Sequence, residues 1–260
     1  MVSTLSPTEQ KIYSILYQKR IITTEDVVKI LNDSHKSADY ITNLREKGFI
    51  KKIKQGLYAI VPPNLIGSKK YLIDKFLIAA HLKNKYYISH HSALELHGLA
   101  ESAFNTVYIT LPNYSQPFHY QGITYNFVST KYFFGIETII YSSVKIALSD
   151  LEKTLVDCIR NIPYSGGLEE LAKSLTGIPS LKYDKMLNYL HQFNNQILYH
   201  KIGFLFESLE EFSPPKQFLQ TIRKKVGRKV YYLDKGKTSI YNKKWNIMVP
   251  KNFEELTKVA

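Results

Sequence analysis

One cysteine, Cys158, stands in 260 residues. A disulfide framework and a cysteine-built zinc site within one chain are therefore both excluded. No stretch of eighteen apolar residues occurs, and the best candidate, Tyr71 to Ala80, is interrupted by Asp74 and Lys75, so no membrane-spanning helix is expected. The opening MVSTLSPTEQ lacks a basic segment followed by an apolar one, so a secretory signal is not expected either, and the cytoplasm is the expected compartment. Acid is scarce as well: 22 Asp+Glu face 35 Lys+Arg, a formal charge of +13. What is present is a 44% hydrophobic chain, enough for one large core or two modest ones.

The charge is unevenly spread. Residues 1–62 carry 10 basic and 6 acidic side chains, residues 63–215 carry 13 of each, and residues 216–260 carry 12 against 3. A neutral middle between two basic ends suits a polyanion or an acidic partner, since Lys and Arg gather where phosphates or carboxylates are met. A soluble protein with a basic tail has the same composition, and local pattern must decide.

Ser6-Pro7-Thr8-Glu9 reads as a capping box with proline at the first helical position, followed by Ile12, Ile15 and Leu16 at helical spacing, which predicts a helix from Pro7 to Lys19. Ile21-Ile22-Thr23 is a short strand. Thr24 caps a second helix with Val27, Val28 and Leu31 on one face. A third runs from Lys36 to Lys47 with Ala38, Ile41 and Leu44 inward and Gly48 as its stop. Lys54-Gln55-Gly56 then turns a hairpin between Ile50–Ile53 and Leu57–Ile60.

Helix, strand, helix, helix and hairpin within sixty residues is the order of a winged helix-turn-helix domain, in which one helix buttresses a recognition helix and the hairpin adds phosphate contacts. The predicted outward face of the third helix carries Lys36, Tyr40, Asn43 and Lys47, with Ser37 beside them, hydrogen-bonding types suited to base edges and phosphates. Lys51, Lys52 and Lys54 on the hairpin favour DNA over an ordinary solvated face, whereas Asp33, Asp39 and Glu46 count against it. Pro62-Pro63-Asn64 is the expected boundary between a domain at 1–62 and a second, mixed antiparallel-sheet and helix domain at 68–260, whose basic tail begins at 216. Strands are expected at Thr106–Leu111, Phe118–Val128 (with Gly122 as a turn or bulge) and Ile136–Ile146, and helices from Asp150 to Phe212. The expected class is thus α+β.

Tyr87-Ile88-Ser89-His90-His91-Ser92-Ala93-Leu94-Glu95-Leu96-His97-Gly98-Leu99, Ser149-Asp150-Leu151-Glu152-Lys153-Thr154-Leu155-Val156-Asp157 and Tyr164-Ser165-Gly166-Gly167 resemble the core motifs of the AbiEi-type antitoxins, and Lys201-Ile202-Gly203-Phe204-Leu205-Phe206-Glu207 is similar to a further segment of that family. The resemblance implies an N-terminal domain that binds operator DNA and represses its own operon, and a C-terminal domain that counters a nucleotidyltransferase-like toxin. The tail, with Arg223, Lys224, Lys225 and Arg228, lies outside the best-matching stretch and is assigned to DNA on charge.

Other constellations invite chemistry. His90, His91 and His97 lack the i, i+4 spacing usual for metal ligands on one helix, and HExxH is absent, so a packing role is favoured. Asp150, Glu152, Lys153 and Asp157 resemble a magnesium-binding nuclease or nucleotidyltransferase cluster, but they equally describe a salt-bridged helix start, the favoured reading. Gly166-Gly167 lacks phosphate-loop spacing, Cys158 sits in an apolar stripe, and the twenty tyrosines are read as core rim. No enzyme activity, catalytic residue, metal or cofactor is therefore expected. The alternatives are a metal-dependent nuclease or nucleotidyltransferase, a plain regulator without a toxin, and a protein-interaction scaffold.

Overall fold

The computed structural model describes residues 5–68, 71–209, 214–235 and 238–257. The chain is a mixed α+β protein with helices and three sheets. It divides into two compact units: the first holds the chain up to Asn84 together with 119–123 and 140–146, the second the remainder. The expected cut at residue 62 therefore falls inside the first unit, because the chain from Tyr71 to Leu82 stays with it.

In the first unit, α1 (Pro7–Tyr17) starts at the anticipated capping box: Glu9 N–H donates to Ser6 Oγ at 3.3 Å and Ser6 N–H donates to Glu9 Oε2 at 2.7 Å. Strand β1 (Ile21–Thr23) ends in a second box, with Thr23 and Asp26 exchanging the same bonds around the start of α2 (Thr24–Leu31). Asn32, in the left-handed region at φ 50°, stops α2, and Asp33 accepts from the N–H groups of His35 and Lys36 to start α3 (Ser34–Glu46). Short polar side chains satisfy orphan helix-end donors here, which is why a two-residue joint suffices. Strands β2 (Ile50–Lys54) and β3 (Leu57–Ile60) form the hairpin, turned at Gly56 with φ 75°, and β1 pairs antiparallel on the far side of β3. Ile12, Leu16, Ile22, Val27, Ile41, Leu44 and Ile50 close the core, each worth about 1.5–3 kcal/mol of buried apolar surface. Helix α4 (Lys75–Leu82) is shorter than predicted, because Asp74 caps it by accepting from Phe76 and Leu77 N–H.

Strand β4 (Tyr87–Ile88) leads into α5 (His90–Leu96), and β5 (Thr106–Leu111), β6 (Phe118–Tyr120), β7 (Ile123–Ser129), β8 (Ile136–Tyr141) and β9 (Val144–Ser149) complete a six-stranded sheet in the order β6-β7-β5-β4-β9-β8. The sheet is mixed: β4 pairs antiparallel with β5, while β5 runs parallel to β7 and β4 parallel to β9. The turn or bulge expected at Gly122, at φ 79°, separates β6 from β7, whereas the single strand expected at 136–146 is two strands, β8 and β9. Helices α6 (Leu151–Arg160), α7 (Leu168–Thr176), α8 (Tyr183–Phe193) and α9 (Gln196–Ser208) share one apolar core, including Leu155, Ile159, Leu171, Leu190, Ile202 and Leu205. Beyond them come α10 (Lys216–Lys224), not anticipated from sequence, and a small sheet of β10 (Tyr231–Tyr232), β11 (Ser239–Asn242) and β12 (Ile247–Pro250), in the order β10-β12-β11, before α11 (Phe253–Thr257).

Candidate nucleic-acid interface

Helix α3 sets the geometry of the predicted interface. Its inward stripe is Ser37, Tyr40, Ile41 and Leu44, not Ala38, Ile41 and Leu44. Two predicted base-reading residues are thereby corrected. Tyr40 is 7% exposed and its hydroxyl donates to Glu9 O at 2.9 Å, while Ser37 is fully buried and its hydroxyl donates to Asp33 O at 2.6 Å. Neither reaches a groove. Burial drives the Tyr40 hydroxyl far above its ordinary pKa, with the Glu9 carboxylate adding to the effect, so Tyr40 is a neutral packing residue.

Lys47 also turns back, its Nζ 2.8 Å from Glu9 Oε2. The hydrogen bond from Lys47 and the Ser6 N–H hold the Glu9 carboxyl below its usual range. This pair locks the ends of α1 and α3 together. Lys36 and Asn43 are exposed as predicted, Lys36 lying 3.4 Å from Asp33 Oδ2. Around them the same exposed face presents His35, Ala38, Asp39, Thr42, Arg45 and Glu46. A helix period of 3.6 puts His35, Asp39, Thr42 and Glu46 at its centre and Lys36 and Asn43 on its flank.

The hairpin lysines divide. Lys51 Nζ lies 3.3 Å from both Ser68 O and Tyr71 O and stacks over the Tyr71 ring. Lys54 Nζ donates to Leu82 O at 3.0 Å, and burial lowers its pKa. Both ammonium groups are tied to backbone carbonyls, which corrects their reading as phosphate contacts. Lys52 is exposed. On the second unit Arg223, Lys224, Lys225 and Arg228 are all exposed, the first two on the polar face of α10, whose other face buries Phe218 and Ile222. Gly236 and Lys237 of the basic tail lie outside the described residues.

The acidic cluster is spent internally. Asp150 caps α6 by accepting from Lys153 N–H at 3.0 Å, and its other oxygen accepts from Tyr189 Oη at 2.6 Å and pairs with Lys185 at 3.1 Å. Glu152 accepts from Lys182 N–H at 3.0 Å and from Lys185 Nζ at 2.9 Å; burial alone would raise its pKa, but these donors hold it low. Lys153, with no exposed surface, donates to Asp157 and to Tyr87 Oη and is caged by the rings of Tyr87, Phe134 and Phe193 at 4.8 to 5.3 Å. Among the described residues no group of three or more His, Cys, Asp or Glu side chains is arranged to hold a metal ion.

The three histidines find different partners. His91 Nε2 is 3.1 Å from Glu170 Oε1, an oxygen that also accepts from the N–H groups of Glu101 and Ser102. His97 Nε2 donates to Ser149 O at 2.9 Å. His90 bonds Ser89 Oγ through Nδ1 at 2.8 Å and leaves its buried Nε2 without a hydrogen bond, on a backbone at φ 52°. Cys158 is buried, and burial raises its thiol pKa well above the usual value, as suits a packing residue.

No protein-family model matches the chain, and no curated protein matches it. Its fold is similar to the crystal structure of the RV2827C protein from Mycobacterium tuberculosis, with a TM-score of 0.69 at 15% sequence identity over 95% of this chain and 93% of that one. At that identity the likeness is one of fold alone.

Proposed function

We propose that this protein is a sequence-specific, double-stranded-DNA-binding transcriptional repressor whose N-terminal elements act as a winged helix-turn-helix, and that it is the antitoxin-type partner of a nucleotidyltransferase-like toxin. The observation that carries the DNA reading is the pair α2 and α3, joined by two residues and followed directly by an antiparallel hairpin, with a continuous polar face left exposed on α3. A helix so presented enters a major groove while its neighbour crosses the backbone. Lys36 and Asn43 stay in the proposed reading set, His35 and Thr42 join it, and the exposed Arg45 and Lys52 are assigned to phosphates. Arg223, Lys224, Lys225 and Arg228 on the second unit are assigned to further phosphate contacts. The toxin-countering role rests on the motif resemblance to AbiEi-type antitoxins. The protein is proposed to have no enzymatic activity, since its best acidic cluster is consumed by capping and ion pairs.

The test is a binding titration against the DNA upstream of the protein's own gene. Asn43→Ala is expected to cost about 1–3 kcal/mol there and little on random duplex. Reversing Arg223, Lys224, Lys225 and Arg228 to Glu is expected to lower the slope of log affinity against log salt by about 0.9 per lost contact. Equal loss from Asn43→Ala on both duplexes moves Asn43 to the backbone, and no preference for the upstream DNA overturns the repressor reading. Co-expression with the product of the neighbouring gene tests the antitoxin role: failure to relieve its toxicity removes it.

A further inference from the structure

The small sheet near the C-terminus bears an aromatic row. Met248 on the central strand β12 is the register partner of Tyr232 on β10 and of Tyr241 on β11, so the three side chains point to the same face. That face is the open one. Tyr232 is 52% and Tyr241 49% exposed, whereas Leu233, Ile247 and Val249, which alternate with the row, are buried beneath. Sheet spacing roots the two rings about 10 Å apart, with the thioether between them. The Tyr241 ring is held in place, because its hydroxyl donates to Asn246 Oδ1 at 2.9 Å while Asn246 Nδ2 donates to Gly227 O and Lys229 O.

The residues that flank these strands name the charge of a partner for the open face. Arg228 and Lys229 enter β10, Lys235 follows it, and Lys243 follows β11, all exposed. Between Lys216 and Thr257 the acids are only Asp234, Glu254 and Glu255. Lys229 Nζ lies over the Tyr231 ring, and open π faces on strands flanked in sequence by exposed cations match a polyanion with accessible bases, not a duplex whose bases are stacked inside. We propose that the β10-β12-β11 face is a binding surface for single-stranded nucleic acid, with Tyr232 and Tyr241 as base-stacking platforms and Arg228, Lys235 and Lys243 as phosphate contacts. This activity is separate from groove reading by α3. Stacking is tolerant of sequence and sugar, so both RNA and DNA strands are ligands.

The test is fluorescence anisotropy of the full chain with labelled oligo(dT) and oligo(rU) of about twelve nucleotides, beside a blunt duplex of the same length. Both single strands are expected to bind more tightly than that duplex. Tyr232→Ala with Tyr241→Ala is expected to weaken single-strand binding about tenfold or more, while Tyr232→Phe with Tyr241→Phe stays within about twofold of the wild type. Circular dichroism checks that each variant is folded, and Asn43→Ala, which weakens operator binding, is expected to leave oligonucleotide binding unchanged. Single strands bound no better than the duplex overturn the proposal. So does an alanine pair that binds like the wild type, or a phenylalanine pair as weak as the alanine pair.

Discussion

Lys153 Nζ lies 2.5 Å from Asp157 Oδ2, one turn along α6, and both side chains are buried. Burial pulls the Lys153 pKa down and the Asp157 carboxylate pulls it back up. Removing one partner strands the other charge in a dry interior. Lys153→Met alone is expected to cost about 3–5 kcal/mol, whereas Lys153→Met with Asp157→Leu is expected to recover most of that loss. Urea unfolding of the wild type, both single variants and the double variant checks it; additive losses would show that the two residues act independently.

His90 gives the fold a pH dependence. Burial pushes its pKa down to about 4, with the Lys153 and Arg160 charges opposing protonation and Asp157 favouring it. The unfolded chain therefore binds the proton that the folded chain refuses between pH 6.5 and 4. The contribution is complete above about pH 6.5 and is lost, up to about 3 kcal/mol, as pH falls toward 4. His90→Asn, a residue that tolerates the left-handed backbone, is expected to flatten stability against pH over that interval. An unchanged slope in denaturant midpoints would assign the acid sensitivity to other groups.

Lys201 acts in the same direction, higher on the pH scale. Its ammonium is buried with Ile159 O at 3.3 Å, and burial lowers its pKa to about 8 while Asp234 resists the shift. Holding that charge inside is costly at neutral pH, and the cost fades between about pH 8 and 10.5 as the folded lysine deprotonates first. Lys201→Met is expected to stabilise the protein by about 1–3 kcal/mol at pH 7, with a smaller gain at pH 10. Thermal melts at the two pH values measure the difference.

Gly203 on α9 lies against the Trp245 ring, so that a Cβ there would stand 2.1 Å from Trp245 Cζ3. Trp245 is the only tryptophan, fully buried, and its indole N–H donates to Glu207 Oε2 at 2.8 Å. Gly203→Ala is expected to destabilise the chain by about 1–3 kcal/mol and to red-shift its tryptophan emission as the ring is pushed from its seat. Emission that stays put would mean that α9 shifts instead.

The local signals in the sequence are the ones the structure repeats. The Ser6 to Glu9 capping box and the Gly56 turn stand where they were read, because each depends on a few neighbouring residues. The phase of α3 was misread for a physical reason: alanine counts as apolar by type, yet Ala38 is exposed, while tyrosine counts as a polar reader, yet Tyr40 buries its ring and sends its hydroxyl to a backbone carbonyl 31 residues away. Only tertiary packing decides that. The division of 136–146 into β8 and β9 was hidden because the turn uses Ser142 and Ser143, both at positive φ, where glycine or asparagine is the usual sign. Lys51 and Lys54 looked available because the carbonyls that hold them lie far along the chain. The aromatic row was illegible for the same reason, as it exists only through the register of three separate strands.

The two sheets at the front of the chain differ in how much polypeptide each needs before it can close. The β1-β3-β2 sheet takes its last partner at Ile60, and Tyr13 Oη seals it by donating to Val61 O. The six-stranded sheet cannot join its central strand to β9 until Leu148 arrives beside Ile88, sixty residues downstream. On a ribosome, which delivers the chain from its N-terminus, the helix and hairpin assembly is complete while the six-stranded sheet still lacks its central pairing. Parallel pairing at such separation is slow to form, so β4 and β5 wait with one edge open. The interval between those two closures is when a nascent chain of this protein is most exposed to aggregation, and when chaperones would be expected to engage it.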